Sequence, residues 1–184
     1  MGVLQRWRDE RTLKAAADAY TARAWAEPAE DDVRWLAALA TAGDEDHARW
    51  ELRYARRALA LLAAERDALD DRTGSAVSRA IVERAARDAA VAPDRRRVAE
   101  RQFNIRLGRF RESLRERGGP GLVDRWASVL VEVASGSRAG ADPRARAVVQ
   151  QIWDEAHDAL RELFGVAELP EHVRPSQAAT ARQP

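Results

Sequence analysis

The chain has 184 residues, of which 33% are charged, and its 31 basic and 30 acidic side chains leave a formal net charge of +1. This balance argues against a general nucleic-acid binder. Because the sequence contains no cysteine, disulfides, thiolate catalysis and cysteine metal sites are excluded. The chain shows neither a signal-peptide pattern nor a stretch approaching the roughly 20 apolar residues of a membrane span, so we expect a cytoplasmic protein.

Helix-forming residues dominate the whole chain. Ala, Leu, Arg and Glu fill nearly every window, and the alternating pattern of strands is almost absent. We therefore predict an all-α bundle of six or seven helices, built by residues 1–169 as a single domain. Residues 170–184 are polar and proline-containing, and we predict that they form a disordered tail.

The first predicted elements are one long helix or two short ones over residues 2–26, ended by Pro28, and a short helix that begins near Glu30. The acidic run at residues 30–32 suits the positive end of a helix dipole. Gly43 is a typical C-terminal stop for this second helix.

The longest predicted helix covers residues 44–72. Asp44 is a good N-cap, and Thr73-Gly74-Ser75 is expected to break the helix. Plotted on a helical wheel, its apolar residues cover an arc of about 200°, which is wider than a surface helix needs. We therefore predict that this helix lies at the centre of the bundle.

Four more helices are predicted after it. The first covers residues 75–91 with Val77, Ile81 and Val82 on its apolar side, and the second covers about 94–117. The third covers 121–134, although its valine-rich end could form a strand. The last begins with Asp142 as N-cap and Pro143 at the first helical position, and it ends at Gly165.

One polar cluster is predicted inside the bundle. Glu51 lies near the middle of the apolar arc of the long helix, with His47 one turn before it and Glu65 further along the same side, so all three are expected to be buried or nearly so. A buried carboxylate costs several kcal/mol unless an arginine, another donor or a metal compensates it.

Two interpretations of this cluster remain open. Arginines from neighbouring helices could hold Glu51 and Glu65 through paired hydrogen bonds. Alternatively, the cluster could be part of a carboxylate-rich metal site of the kind found in helical bundles. Only fragments of such a site are present, namely Asp44-x-x-His47 and Asp154-x-x-His157, so no metal ligand is assigned.

Residues 94–117 carry nine arginines against four acidic residues, which makes them the best candidate for contact with an acidic partner or nucleic acid. A solvated basic face is the alternative.

Val98 and Ile105 lie nearly opposite the main apolar face of this helix, and two apolar faces need two neighbours. Either a second helix of the same chain covers them or they form a subunit contact. A polar stripe separates the two faces and consists of Arg97, Asn104, Arg111 and Arg115.

No complete catalytic or nucleotide motif is present, so the leading hypothesis is a non-enzymatic interaction or assembly module with a buried Glu, His and Arg network. Its partner would be another protein or a second copy. The first alternative is a small-molecule- or metal-dependent bundle protein, an oxidase or a hydrolase, that uses His47, Glu51, Tyr54 and Glu65. The second is nucleic-acid association through residues Arg95 to Arg117. No cofactor is assigned, and the question of enzymatic activity stays open.

Overall fold

The computed structural model describes residues 3–68, 70–116, 119–137, 140 and 142–165. Over these residues it contains seven α-helices, one short 3₁₀ turn at Pro93–Arg95 and no strand, which confirms the predicted all-α bundle. The predicted tail over residues 170–184 lies outside the described residues. The helices are α1 (Val3–Ala24), α2 (Glu30–Ala40), α3 (Glu45–Asp67), α4 (Asp71–Ala86), α5 (Arg96–Arg115), α6 (Leu122–Ser135) and α7 (Pro143–Phe164).

Helix α3 is the centre of the bundle, as its wide apolar arc predicts, because all six other helices pack against it. Small alanines along α3 allow close approach, and larger side chains from the neighbours supply the volume of the core. Trp126 of α6 is fully buried, and its Nε1–H donates to the Phe110 carbonyl at 3.2 Å. Tyr20 of α1 is equally buried, and its hydroxyl donates to the Ala60 carbonyl of α3 at 2.7 Å.

The end of α3 and the start of α4 differ from the prediction. Helix α3 ends at Asp67 rather than at Arg72, and Thr73-Gly74-Ser75 lie inside the first turns of α4 instead of breaking a helix. The physical reason is Asp70, whose side chain accepts the Thr73 backbone N–H at 2.7 Å and so caps a helix that begins at Asp71. Helix α4 therefore runs over 71–86 rather than 75–91. Val77 and Ile81 are buried as predicted, but Val82, which lies about 100° from Ile81 around the helix, is 68% exposed, so its place on the apolar side is wrong.

Replacing Asp70 by Ala is therefore expected to lower the free energy of unfolding by about 1 kcal/mol, the usual value of an N-cap. The measurement is urea unfolding followed by circular dichroism. Asp71→Ala is the matched control, because Asp71 favours the helix dipole without capping, and it should cost less. Equal losses in the two variants would contradict the assignment of Asp70 as the cap.

Other helix ends agree with the sequence. Asp44 caps α3 by accepting the His47 N–H at 3.0 Å, and Asp142 caps α7 by accepting two backbone N–H groups. Gly43 has φ of +86°, and its N–H donates to the Ala37 carbonyl at 2.9 Å, which ends α2 as a C-terminal glycine does. The valine-rich segment at 129–133 is helical within α6. In the described part of the chain, no helix is long and apolar enough to cross a lipid bilayer.

Candidate functional site

Glu51 lies in the middle of α3 and is held by one arginine of α5. The residue is 2% exposed, and the Arg106 guanidinium donates to both carboxylate oxygens, from Nε to Oε2 at 3.0 Å and from Nη2 to Oε1 at 2.5 Å. This hydrogen bond raises the pKa of Arg106, although desolvation acts in the opposite direction. The prediction that an arginine clamps Glu51 through paired bonds is therefore confirmed.

His47 and Tyr54 flank this ion pair. His47 Nε2 lies 3.3 Å from Glu51 Oε1, but the His47 side chain is 43% exposed, so the prediction that it is buried is wrong. The Tyr54 hydroxyl donates to Gln102 Oε1 at 3.1 Å, and the Arg106 guanidinium lies 5.6 Å from the centre of the Tyr54 ring. Burial raises the pKa of the Tyr54 phenol. His47 thus contacts the Glu51 carboxylate, whereas Tyr54 contacts Gln102 and Arg106 of α5.

Glu65 does not belong to this cluster. It lies fourteen residues after Glu51, roughly 21 Å along the helix axis at 1.5 Å per residue. It is exposed and pairs with Arg111, so its predicted pairing with an arginine is confirmed and its predicted burial is wrong. The helical wheel gives only the direction of a side chain. It does not show that Glu65 lies in the last turn of α3, at the edge of the bundle, where that direction leads to solvent.

The second fragment considered for a metal site has a structural role. His157 of α7 lies with Nε2 2.8 Å from Asp67 Oδ2 and with Nδ1 3.0 Å from the Trp153 carbonyl, and its ring packs against Trp153 at 4.3 Å. It therefore joins α7 to the end of α3. No three His, Asp or Glu side chains of the described ranges are grouped so that they could hold a metal ion.

A second buried ion pair, which the sequence did not predict, lies two turns along α3. Arg57 is 7% exposed and Asp88 is 9% exposed, and Arg57 Nη2 lies 2.8 Å from Asp88 Oδ2. Trp25 Nε1–H donates to the same oxygen at 3.2 Å, and the Ala90 backbone N–H donates to Oδ1 at 3.0 Å. The Arg57 guanidinium also stacks on the Trp25 ring at 4.2 Å.

This second pair perturbs both of its charged members. Burial lowers the pKa of Arg57, and the Asp88 charge opposes that effect. Desolvation acts to raise the pKa of Asp88, but the Ala90 hydrogen bond and the Arg57 charge hold it below its ordinary value. Among the described residues, the Arg57 Nε–H has no hydrogen-bond partner although it is buried.

A groove lies above this pair, between α4 and α5, which both pack on α3. It encloses about 370 Å³ and is called here the α4–α5 groove. Its walls are mostly apolar, with Arg57 and Tyr54 among the lining residues and the exposed Arg96, Arg97 and Glu100 at its opening. The groove therefore combines apolar surface with a few polar groups, as small-molecule sites do.

The described part of the chain leaves the outward side of α5 uncovered. Val98 and Ile105 are 48% and 54% exposed, so among the described residues no second helix covers them, as the first of the two predicted arrangements required. Helix α5 lies at the edge of the bundle and packs mainly on α3 and α6, which both contact its inner side. Within the predicted polar stripe, Arg97 and Arg115 are exposed, whereas Arg111 pairs with Glu65.

The arginines of α5 and its preceding turn are partly neutralised. Four of those described form ion pairs with acidic residues of the chain, and they are Arg95, Arg106, Arg109 and Arg111. This pairing reduces the charge available to a polyanion.

Comparison of the chain with protein-family models, with curated proteins and with solved structures finds no match. Function therefore has to be inferred from the side chains themselves.

Proposed function

We propose that this protein is a non-enzymatic interaction module that assembles with a second copy of itself through the outward side of α5. The observation that carries the proposal is the exposure of Val98 and Ile105, two β-branched apolar residues seven positions apart on one side of the helix. Burying them against a partner would stabilise the complex by about 25 cal/mol for each Å² of apolar surface removed from water.

The residues around Ile105 favour a second α5 helix as the partner. Gly108 is one turn away, and an added Cβ there would meet no described atom within 4 Å, so packing within the chain does not explain the glycine. A glycine inside a helix is about 1 kcal/mol less favourable than alanine. Close approach of a partner helix would explain it, because the Ile105 side chain of the second copy fits over a residue that has no side chain.

The charges on this side of α5 are also self-complementary. If two α5 helices pack antiparallel about a two-fold axis between positions 106 and 107, Ile105 of each copy faces Gly108 of the other. The same register places Arg101 opposite Glu112 of the second copy, twice by symmetry. Arg101 has no ion pair among the described residues. The one described ion-pair partner of Glu112 is Arg109, at 3.6 Å. Such exposed pairs contribute little affinity, but they specify the orientation.

The alternative functions receive less support. An enzyme or metal protein built on His47, Glu51, Tyr54 and Glu65 would need a free Glu51 carboxylate, whereas both of its oxygens accept bonds from Arg106. Nucleic-acid association through the arginines of 95–117 is weakened by the four ion pairs described above.

The experiment is sedimentation equilibrium of the full chain and of Ile105→Asp. We expect the wild-type protein to dimerise. We expect I105D to raise the dimer Kd by at least about 100-fold, or about 2.7 kcal/mol, because two carboxylates would lose their water at the centre of the contact. Val82→Asp is the matched control, since Val82 is an exposed valine on α4, and it should leave the dimer unchanged.

Charge exchange tests the register. Arg101→Glu should weaken the dimer, and the double variant R101E with E112R should restore it, because the exchanged pair regains opposite charges. A wild-type chain that stays monomeric at about 0.5 mM, a concentration that detects even weak association, would contradict the proposal. So would a dimer that I105D does not affect.

A further inference from the structure

We propose that the α4–α5 groove is a binding site for a small organic acid, with an apolar body, one carboxylate and a second, neutral oxygen. This site is separate from the outward side of α5, because the groove is lined by Arg97, Glu100 and Asn104 and not by Val98 or Ile105. The inference is independent of self-association.

The size and the walls of the groove define the body of the ligand. A volume of about 370 Å³ lies within the range of about 300 to 1,000 Å³ that is typical of small-molecule sites. The walls that the body would contact are formed by Ile81, Ala85, Val91, Ala99 and Phe103. An aliphatic chain or a small ring system would therefore be removed from water on binding.

Arg57, which lines the groove, has a buried donor without a partner among the described residues. Asp88 already accepts bonds from Arg57, Trp25 and Ala90, so the charge of Arg57 is balanced. The Arg57 Nε–H nevertheless lacks a partner among the described residues, and buried donors of folded proteins are normally satisfied. Because this nitrogen is itself buried, the side chains over it would have to move before a neutral ligand oxygen, such as a hydroxyl or a ketone, could accept the bond. Such an oxygen would place no second negative charge beside Asp88.

The opening of the groove supplies the preference for an anion. Within the described part of the chain, Arg96 and Arg97 form no ion pair. Both are exposed at the opening, as is Glu100, whereas Asp88, the other acidic residue of the lining, is buried. The lining as a whole contains Arg57, Arg96 and Arg97 against Asp88 and Glu100, a net charge of +1. One carboxylate at the opening would neutralise it, and an arginine fork suits a carboxylate.

The test is isothermal titration calorimetry of the full chain with three probes, each below its micellar concentration. The probes are 10-hydroxydecanoate, decanoate and 1,10-decanediol. We expect 10-hydroxydecanoate to bind most tightly. Decanoate lacks the hydroxyl oxygen meant for Arg57, and 1,10-decanediol lacks the carboxylate meant for the opening. Each should therefore bind about tenfold more weakly, the change in Kd that one hydrogen bond typically produces.

Variants connect the binding to the groove. Ala99→Trp would fill the groove and should abolish binding of all three probes. The double variant R96Q/R97Q should weaken 10-hydroxydecanoate about tenfold and leave the diol unchanged, as loss of a charged contact predicts. The double variant R101Q/R109Q removes the same charge from the same helix outside the groove, and it should bind 10-hydroxydecanoate as the wild type does.

Several results would overturn the proposal. They are the absence of saturable binding of 10-hydroxydecanoate below about 1 mM, binding that A99W does not change, and equal affinity for the diol and the acid. A change of oligomeric state in A99W would assign the groove to a second copy instead. Because I105D should still bind the acid, failure of this site and failure of the α5 dimer are distinguishable.

Discussion

Replacing Glu51 by Ala is expected to lower the free energy of unfolding by about 3 to 5 kcal/mol, the cost of removing one partner of a buried ion pair. The change leaves the Arg106 guanidinium, whose side chain is 15% exposed, without its counter-charge. For Glu51→Gln, the loss of unfolding free energy should lie at the lower end of that range, because the amide oxygen still accepts one hydrogen bond but carries no charge. The measurement is urea unfolding at neutral pH.

The control for this prediction is Glu65→Gln. Glu65 forms an exposed pair with Arg111, so its loss should cost less than about 1 kcal/mol. The double variant Glu51→Leu with Arg106→Met should recover most of the stability lost in E51A, because apolar residues can replace a buried ion pair without net cost. A wild-type-like or raised stability of E51A would show instead that the carboxylate is kept for binding rather than for folding.

The features that could be predicted from the sequence are local ones. Asp44, Asp142 and Gly43 act on backbone groups within a few residues of themselves, so their roles as helix ends follow from residue type and position. The central place of α3 also follows from its own residues, because an apolar arc of about 200° can be covered only by neighbours on several sides. The same reasoning required an arginine, another donor or a metal opposite Glu51, and Arg106 lies there.

The features that could not be predicted depend on how far a residue lies from the edge of the bundle and on which side of its helix a neighbour packs. The helical wheel gives the direction of His47 and Glu65 but not their distance from the edge of the bundle, and both are exposed. For the same reason it could not show that Val98 and Ile105 lie on an uncovered helix. Arg57 lies about 20° beyond Trp50, the apolar residue at one end of the predicted arc, at 100° per residue. Its partner Asp88 falls within the predicted helix 75–91, whereas α4 ends at Ala86 and Asp88 lies after it.

The two buried ion pairs together determine the shape of the α4–α5 groove. The Glu51–Arg106 pair fixes α5 against α3, and the Arg57–Asp88 pair fixes the segment after α4 against the same helix. Tyr54 lies between them on α3 and contacts Phe103 with its ring at 6.4 Å. Loss of either pair should therefore alter the groove as well as the stability of the fold.

Removing Asp88 from its ion pair should lower the free energy of unfolding at least as much as removing Glu51. Asp88→Ala is expected to cost about 3 to 5 kcal/mol, because it leaves Arg57 buried without a counter-charge. It also removes the acceptor of the Trp25 Nε1–H and of the Ala90 N–H. The double variant D88A with Arg57→Met should be more stable than D88A alone, since it removes the unpaired charge. Equal stability of the two variants would contradict the pairing.

The same carboxylate should make the stability depend on pH. The Ala90 hydrogen bond and the Arg57 charge outweigh desolvation and keep the pKa of Asp88 below its value in the unfolded chain, about 3.9. Its contribution is therefore fully present above that value and is lost as the pH falls through the lower folded pKa. The difference in free energy of unfolding between the wild type and Asp88→Asn should be constant from about pH 5 to 7 and should shrink below about pH 4. Asp94→Asn, at an exposed acid whose nearest cation is Arg95 at 3.6 Å, is the control and should show no comparable change. A difference that grows on acidification would mean that Asp88 is protonated in the folded protein.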